Sequence, residues 1–455
     1  MGHIVFAAPS VQRFHLHERL ARKLQSRGHR VTVLSGDPVS HRCYASQGFA
    51  AVDLRPGRPI ESRLPLDEFA LQDCQLAGEP SPGAAPLAAA QRRLARRVRP
   101  SLDFFAQDMP DVVLFHQERS GLHRLLHFVA REHNAHVLHT ADGYLPGTLQ
   151  SDHEGIDGDA SFCRRAAVDY RDAGRDETFL AAALAAWLGR AFAPPLARTP
   201  LPTPSALGRI EALARAVARG QFGPARAALV QWQHQPTGLQ ALADQVDLPR
   251  VPFVLVLLQR EDAPQLRLDA PWHPGAEELV ACTARAVQAL DPGLQLVATL
   301  PEGGLPRATR QRLAAHTRLL PAHAVPAAIS TALAIVTINH PQAVCALLAG
   351  TPVLHSGRTP YGVAGVARKT SLDTLAQDLQ HALGHEQPYL RERFLTRFLG
   401  QDHLWCSADH PDQNGLRGLI LAIERRLSVR GFSGSRLPYQ AGPAWPLAAQ
   451  IKHDP

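Results

Sequence analysis

Apolar runs alternate with amphipathic stretches at the start of the chain. A short apolar run over 3–8 is followed by residues 15–27, in which leucines recur every four positions, and then by a second apolar run over 30–34. The four-residue spacing is typical of a helix with one buried face, and Gly28 marks its end. Two strands joined by a helix of this length lie parallel in one sheet. The pattern therefore predicts a β-α-β unit.

The same alternation continues along the chain. It predicts helices over 85–107, 122–133, 276–290 and 342–349, and strands over 111–115, 135–140, 251–258, 295–299, 334–338 and 352–355. The run 251–258 is apolar throughout, as in a parallel strand that is covered on both faces. We therefore predict an α/β fold with two Rossmann-like domains, whose strand-end loops face each other across a central cleft.

A Pro-rich stretch over 193–204 separates the two blocks of predicted strands. We expect a first domain over 1–192, a linker with helices over 193–245, a second domain over 246–430 and a surface tail over 431–455. The 455 residues suit two domains of about 200 residues each.

Composition and charge narrow the class of protein. Hydrophobic residues make up 45% and charged residues 20%, as in a globular protein, and the net charge of +7 comes from arginines within helical patterns. This charge suits anionic small molecules or a membrane face, and we expect no nucleic-acid partner. Six cysteines without a C-x-x-C pair indicate reduced thiols. With no signal segment and no apolar run of about 20 residues, we expect a cytoplasmic protein, with peripheral contact to the inner membrane face left open.

Several familiar motifs are missing from the sequence. It contains no Walker loop, no G-x-G-x-x-G and no G-x-S-x-G, so kinase, dinucleotide oxidoreductase and serine hydrolase functions lack support. The pairs His123/His127 and His133/His136 have metal-like spacing, but no acidic ligand accompanies them. We therefore expect no metal and no cofactor.

One candidate catalytic loop follows the predicted strand 135–140. Asp142 and Gly143 stand at its carboxyl end, followed by Tyr144. A carboxylate there can serve as a nucleophile or general base. Asp-Gly pairs also cap ordinary turns, and spacing alone leaves both interpretations open.

Two further polar loops lie in the second half of the chain. Gln259, Asp262 and Gln265 follow the apolar run 251–258, where they could hold a polar ligand or simply face solvent. Asn339 and His340 stand where a strand runs into a helix, a position that suits a phosphate, although Asn339 could equally cap the helix. A basic set formed by Arg358, Arg368 and Lys369 lies downstream and could neutralise phosphate or be ordinary surface.

Taken together, these segments resemble the bacterial capsule-polysaccharide biosynthesis family, which includes transferases of 3-deoxy-manno-octulosonate (Kdo) from CMP-Kdo. The resemblance covers roughly residues 1–160 and 250–370. It rests on residues 14–20, 27–31, 36–37, 118–123, 142–146, 148–149, 155–157, 258–259, Asp262, Gln265, 337–339, 346–347, 350–353, Gly357, Tyr361 and Gly365. Each motif by itself is weak evidence for the family, and the resemblance rests on the order and spacing of the motifs together.

The resemblance implies a GT-B-type glycosyltransferase that takes an acid sugar from a CMP-activated donor to a growing surface polysaccharide or lipid-linked glycan. Asp142 matches the catalytic aspartate, which related retaining enzymes are thought to use as a nucleophile. The donor side would include Gln259, Asp262, Gln265, Asn339, His340 and Tyr361. The N-terminal, acceptor-side domain would contribute Arg119, His123, Gly143 and Tyr144.

Three departures from the family keep alternatives open. Ala141 stands where many members have Glu, residues 299–304 lack the family's Lys and His-Pro pair, and His340-Pro341 follows Asn339 in place of Ser or Thr. His340 could take over the phosphate contact. Alternatively, the chain is a non-catalytic glycan-assembly subunit, or a transferase or epimerase that uses a UDP-sugar.

Overall fold

The computed structural model describes residues 1–60, 62–117, 119–191, 248–301, 303–384 and 388–428. The linker and helices that the sequence predicts over 193–245, and the tail over 431–455, lie outside the described residues.

The described residues form two sheets. The strands, in chain order, are β1 His3–Ala7, β2 Arg30–Ser35, β3 Ala50–Asp53, β4 Val112–His116, β5 His136–Asp142, β6 Leu149–Asp152, β7 Phe253–Leu257, β8 Gln295–Thr299, β9 Arg318–Leu320, β10 Ala334–Thr337, β11 Val353–His355, β12 Arg368–Lys369 and β13 His403–Leu404. The first sheet has the order β13-β6-β5-β4-β1-β2-β3, and the second β12-β11-β10-β7-β8-β9.

Helices cover both sheets. They are α1 Phe14–Ser26, α2 Pro38–Ser46, α3 Leu66–Leu76, α4 Ala84–Asp108, α5 Gly121–Glu132, α6 Glu177–Ala191, α7 Pro264–Asp269, α8 Ala276–Leu290, α9 Arg307–Ala314, α10 Val325–Thr331, α11 Ala343–Ala349, α12 Leu375–Gly384, α13 Pro388–Gln401 and α14 Gln413–Ser428. None of the described helices is both long and apolar enough to cross a membrane.

Both sheets repeat one topology. Strands β1 to β5 are parallel in the order 3-2-1-4-5, and strands β7 to β12 are parallel in the equivalent order 3-2-1-4-5-6. This is the doubly wound Rossmann arrangement, so the predicted fold class is confirmed. The strand order reverses between β1 and β4 and between β7 and β10. Ligands in such sheets bind beyond the strand carboxyl ends at these two places.

The boundary of β5 differs from the predicted one. The sequence placed Asp142 in a loop after residues 135–140, whereas the structure extends the strand through Asp142. The extension arises because β6 folds back antiparallel on β5, pairing Asp142 with Leu149. Asp142 is thus the last residue of a paired strand, which restricts its backbone.

After the second sheet, the chain returns to the first sheet at β13 and α14. Leu416, Leu419 and Ile423 of α14 pack in one core with Ile4 and Phe6 of β1. Strand β13 pairs antiparallel with β6 of the first sheet. Residues 403–428, which the predicted division placed in the second domain, therefore lie with the first sheet.

Side chains between residues 144 and 187 pack in the opposite direction, against the second sheet. Tyr144, Phe162 and Trp187, all within the predicted first domain, share a core with Leu255 of β7 and Phe398 of α13. Hydrophobic periodicity shows that a helix has an apolar face, but it does not show which sheet covers that face. The predicted boundaries missed both arrangements for this reason.

Candidate active site

Asp142 meets an arginine at the carboxyl edge of the first sheet. The Nη2 of Arg13, in the loop after β1, donates to Asp142 Oδ2 at 2.5 Å, and Arg13 Nε donates to Gln117 Oε1 at 2.9 Å. The Asp142 side chain is 53% exposed and that of Arg13 13% exposed. The carboxylate is therefore both held in place and reachable from solvent.

Gly143 and Tyr144, the next two residues, lie against Thr148 and His403. A Cβ on Gly143 would lie 2.1 Å from Thr148 Oγ1 and 2.7 Å from His403 Cδ2. The backbone N–H of Tyr144 donates to His403 Nε2 at 3.1 Å. Burial lowers the pKa of His403 to about 4, so its ring is neutral and can accept this bond. Gly143 and Tyr144 thereby anchor the end of β5 to β13.

A buried carboxylate joins the two sheets. Asp157 Oδ1 accepts hydrogen bonds from Gln150 Nε2 at 2.9 Å, from Tyr144 Oη at 3.2 Å and from Gln265 Nε2 at 2.8 Å. Gln265 belongs to α7 of the second sheet's loops. Gln150 Nε2 also donates to the carbonyl of Asp142 at 3.0 Å. One glutamine amide therefore connects the backbone of Asp142 with the contact between the sheets.

Asp157 is strained as well as buried. Its φ of 52° lies in the left-handed region, which is rare for a residue other than glycine, and such strain clusters at functional sites. Burial raises the pKa of its carboxyl above the ordinary value, against the opposing charge of Arg119. Asp157 falls within the motif over residues 155–157 of the family resemblance, but nothing else in the sequence distinguished it as a site residue. That motif was the only available signal, because its partner Gln265 is 108 residues away.

On the second sheet, five predicted donor-side residues lie together at the strand reversal. Asn339 N–H donates to Gln259 Oε1 at 3.4 Å, and Asn339 Nδ2 donates to the carbonyl of Gln265 at 3.1 Å. Tyr361 Oη donates to the carbonyl of His340 at 3.0 Å. The buried Asn339 Oδ1 accepts no hydrogen bond from the described residues. It is an acceptor that points to no protein donor in this part of the chain.

His340 is neutral in this setting. Burial lowers its pKa to about 4, and its Nδ1 accepts from the N–H of Gln342 at 3.1 Å. The proton then resides on Nε2, which can donate one hydrogen bond but brings no positive charge. The helix that follows, α11, begins at Ala343 and has seven residues.

Asp262 lies apart from this set. Its carboxylate pairs with Arg260 of the same loop at 2.7 and 2.6 Å, and its side chain is 51% exposed. Of the three polar residues in that loop region, the structure thus brings Gln259 and Gln265 to the junction and leaves Asp262 in solvent.

Arg119 lies in a buried ion-pair network between the sheets. It donates to Asp159 Oδ2 at 2.8 Å and to Asp269 Oδ2 at 2.6 Å. Arg358, from the loop after β11, donates to Asp269 Oδ1 at 2.5 Å and to Asp159 Oδ1 at 3.2 Å. Arg124 also pairs with Asp159 at 2.8 Å. Two carboxylates and three guanidinium groups therefore bridge the two halves of the chain.

The charges in this network determine whether the Asp159 carboxyl is protonated. Burial alone would raise the pKa of its carboxyl, but the charges of Arg119, Arg124 and Arg358 outweigh burial and hold the pKa well below its ordinary value. Burial also opposes the charged form of Arg119, yet Asp159 and Asp269 raise its pKa well above normal. Asp159 and Arg119 are therefore ionised and paired with each other.

The remaining predicted residues do not form one cluster. His123 contacts Ser120 Oγ at 2.7 Å and the carbonyl of Ala8 at 3.2 Å, and burial lowers its pKa to about 4. Of the basic set named from sequence, Arg368 pairs with Asp378 at 2.6 Å, away from Arg358. Across the described ranges, no three His, Cys, Asp or Glu side chains are placed to hold a metal ion.

No protein-family model matches the sequence, and comparison with curated proteins finds no match. Among solved structures, a β-Kdo 2,7-transferase, KpsC of Thermosulfurimonas dismutans, aligns at 14% identity over 71% of this chain and 89% of that one, with a TM-score of 0.37. The glycosyltransferase SnogD of Streptomyces nogalater aligns at 17% identity over 92% and 98%, with a TM-score of 0.34. A putative UDP-N-acetylglucosamine 2-epimerase of Listeria monocytogenes aligns at 13% over 94% and 97%, with a TM-score of 0.34. At these identities and TM-scores the likenesses carry no argument about function, and the fold assignment rests on the strand order.

Proposed function

We propose that the protein is a glycosyltransferase that transfers Kdo or a related acid sugar from a CMP-activated donor to a surface polysaccharide or lipid-linked glycan. The observation that carries this proposal is the position of Asp142. Its carboxylate stands at the carboxyl edge of the first sheet, is oriented by Arg13 at 2.5 Å, and remains half exposed.

The chemistry fits a half-exposed, oriented carboxylate. When the bond between the sugar carbon and the CMP oxygen breaks, the electron pair leaves on the phosphate and positive charge develops on the sugar. An oxygen of Asp142 stabilises that charge or forms a bond to the sugar carbon. The acceptor hydroxyl then takes the place of Asp142 on the sugar and releases its proton to water.

The donor nucleotide is assigned to the loops of the second sheet. Gln259, Asn339, His340 and Tyr361 lie where the strand order reverses between β7 and β10, which is where doubly wound sheets bind ligands. The Asn339 Oδ1, which accepts no hydrogen bond within the described ranges, and the neutral His340 offer one acceptor and one donor to a polar ligand. Gln265 then connects this side to Asp157 and the end of β5.

A second candidate function is a non-catalytic subunit of glycan assembly. It is favoured by the pairing of Arg358, a cation in the loop after β11, because its guanidinium already contacts Asp269 and Asp159. A phosphate there would have to compete with two carboxylates. A third candidate, a transferase or epimerase that uses a UDP-sugar, differs from the first in its nucleotide.

The test combines binding with turnover. Calorimetric titration with CMP, and with UDP beside it, is followed by measurement of CMP release from CMP-Kdo. We expect selective CMP binding, and we expect Asp142→Asn to lose turnover while it retains CMP affinity and the thermal unfolding midpoint. Asp103→Asn is the matched control, because Asp103 is also an exposed aspartate paired with an arginine, Arg99, at 2.8 Å.

Each alternative has its own outcome. Binding of UDP in preference to CMP would favour the UDP-sugar enzyme. Failure to bind either nucleotide would favour the assembly subunit. Full turnover by the Asp142→Asn protein would remove Asp142 from the catalytic role.

A further inference from the structure

Arg13 makes three separate contacts, one through each of its nitrogens. Nη2 donates to Asp142, Nε donates to Gln117, and Nη1 donates to Asp409 Oδ1. Asp142 ends β5, Gln117 follows β4 and Asp409 follows β13. The arginine thus lies across the reversal of strand order in the first sheet, where a ligand is expected.

Two buried histidines lie near the Arg13 guanidinium. His17 and His116 are buried near it, and burial together with the charge of Arg13 lowers the pKa of His17 to about 3. Burial and the charges of His17 and Arg13 lower the pKa of His116 well below its ordinary value. The two rings are therefore neutral and add no positive charge beside the Arg13 guanidinium.

Backbone strain marks the same place. Ala8 and Gln117, the residues directly after β1 and β4, have φ values of 45° and 60°. Neither is a glycine, so both conformations cost free energy and are held by their surroundings. The strained Gln117 also fixes Arg13 through its side chain at 2.9 Å.

Asp409 differs from Asp142 in its origin. It belongs to the segment that returns from the second sheet to the first, 396 residues from Arg13 in sequence. Its side chain is 36% exposed, so a ligand can reach the contact from solvent. An anion of the same geometry could therefore replace the Asp409 carboxylate on Nη1.

The sugar of the proposed reaction carries such an anion. In a 2-keto acid sugar the carbon that is transferred bears a carboxylate directly. When Asp142 approaches that carbon, two carboxylates come within a few ångströms of each other and repel. A guanidinium that contacts both relieves the repulsion, and planar guanidinium groups are suited to carboxylates.

We propose that Arg13 forms the binding subsite for the carboxylate of the transferred sugar, and that Asp409 occupies this subsite until the sugar displaces it. The inference rests on the proposed function, since it assigns the acid-sugar specificity to one arginine. Arg13 then binds the donor's carboxylate on Nη1 while Nη2 keeps Asp142 in place. Neutral sugars would gain nothing from this contact.

The first experiment compares two substitutions of Arg13 with a control substitution of Arg22. In CMP release from CMP-Kdo, Arg13→Gln should lower kcat/KM about a hundredfold, because a charged hydrogen bond to the sugar is lost. The Kd for CMP alone should change less than about twofold, because Arg13 lies at the first sheet and the nucleotide is assigned to the second. Arg13→Lys keeps the charge and should recover about tenfold of that loss. Arg22→Gln is the matched control, since Arg22 is an exposed arginine of α1 that pairs with Glu18 at 2.9 Å and lies over the Phe49 ring at 5.7 Å.

Asp409→Asn separates the subsite from a structural ion pair. If Asp409 competes with the sugar, removing its charge should lower KM for CMP-Kdo by about threefold to tenfold. If the Arg13–Asp409 pair merely holds the fold, Asp409→Asn and Arg13→Gln should both impair turnover and both lower the unfolding midpoint. That second pattern, or an unchanged kcat/KM in Arg13→Gln, overturns the inference.

Free Kdo, titrated without nucleotide, tests the subsite apart from the proposed reaction. We expect tighter binding of free Kdo to the Asp409→Asn protein than to the wild type, and no saturable binding to Arg13→Gln. Absence of binding to the Asp409→Asn protein overturns the subsite. Failure of the wild type to bind CMP, with free Kdo still bound through Arg13, contradicts the proposed transferase and leaves the carboxylate subsite supported.

Discussion

Asp157 Oδ1 and Gln265 Nε2 form a hydrogen bond of 2.8 Å between the two halves of the molecule. Asp157 follows β6 of the first sheet, and Gln265 lies on α7 after β7 of the second. The same oxygen accepts from Gln150, which also holds the backbone of Asp142. The position of the proposed catalytic strand end is therefore coupled to the loops assigned to the donor nucleotide.

We expect Gln265→Leu to be destabilising, because it removes a donor from a buried carboxylate and leaves the other two. The loss of such a hydrogen bond costs about 1–3 kcal/mol of unfolding free energy. Urea unfolding followed by circular dichroism measures it. Gln380→Leu, at an exposed position of α12, is the control and should change stability by less than about 0.5 kcal/mol. Equal effects of the two substitutions would contradict the role given to Gln265.

Asp269→Asn should weaken the junction between the sheets more strongly. Asp269 is 1% exposed and pairs with both Arg119 and Arg358, so its neutralisation removes one of the two carboxylates that these guanidinium groups share and leaves Asp159 to pair with both. Breaking a buried pair from one side costs about 3–5 kcal/mol. Asp262→Asn, which removes an exposed aspartate paired with Arg260, should cost at most about 1 kcal/mol. The two urea midpoints, measured side by side, decide whether the network stabilises the junction.

Gly143→Ala tests how tightly the end of β5 is packed. The added Cβ would lie 2.1 Å from Thr148 Oγ1, so the strand end or the β5–β6 connection must shift. Overpacking of this kind costs about 1–3 kcal/mol, and we expect turnover to fall as Asp142 moves with its neighbour. Gly174→Ala, where no atom lies within 4 Å of the added Cβ, should leave both the melting temperature and turnover unchanged. An unshifted melting temperature in Gly143→Ala would show that the strand end is looser than described.

Acid should destabilise the protein between about pH 6.5 and pH 4. Burial lowers the pKa of His123 to about 4 and, with the charge of Arg13, lowers that of His17 to about 3, whereas the unfolded chain titrates near 6.5. In this window the unfolded state binds more protons, so the free energy of unfolding falls as pH falls, by about 1.4 kcal/mol per pH unit for each such group. Above about pH 7 these histidines add no pH dependence.

The measurement is a series of urea midpoints across this pH range. His123→Gln should reduce the slope by the contribution of one group, while His316→Gln, at an exposed position, should leave it unchanged. A slope that is the same in wild type and His123→Gln would mean that the His123 ring is protonated in the folded state.

Local sequence pattern was sufficient for most of the scaffold. The helix over 276–290 and the strand over 295–299 were predicted with the bounds that the structure has. The continuous apolar run 251–258 predicted a parallel strand, because a strand covered on both faces has no polar side, and the structure has this strand over Phe253–Leu257. The polar strand-end residues Gln259 and Asn339 were also found from sequence, since parallel strands end at one edge of a sheet.

The partners of those residues were not predictable in the same way. Arg13 meets Asp142 across 129 residues and Asp409 across 396, and no local pattern records such distances. Asp262 and Gln265 looked alike in sequence, yet one pairs with Arg260 in solvent and the other reaches Asp157. The direction of each side chain depends on how the preceding turn packs, which the spacing of residues does not contain.

The sequence by itself determined two α/β blocks, their strand-forming runs and the polar loops at the strand ends, because apolar periodicity and turn residues act over a few positions. Only the tertiary structure decided which sheet each late element joins, as β13 and α14 do with the first sheet, and which charges meet at the junction. Those outcomes depend on burial against distant parts of the chain, where the free energy comes from contacts between residues far apart in sequence.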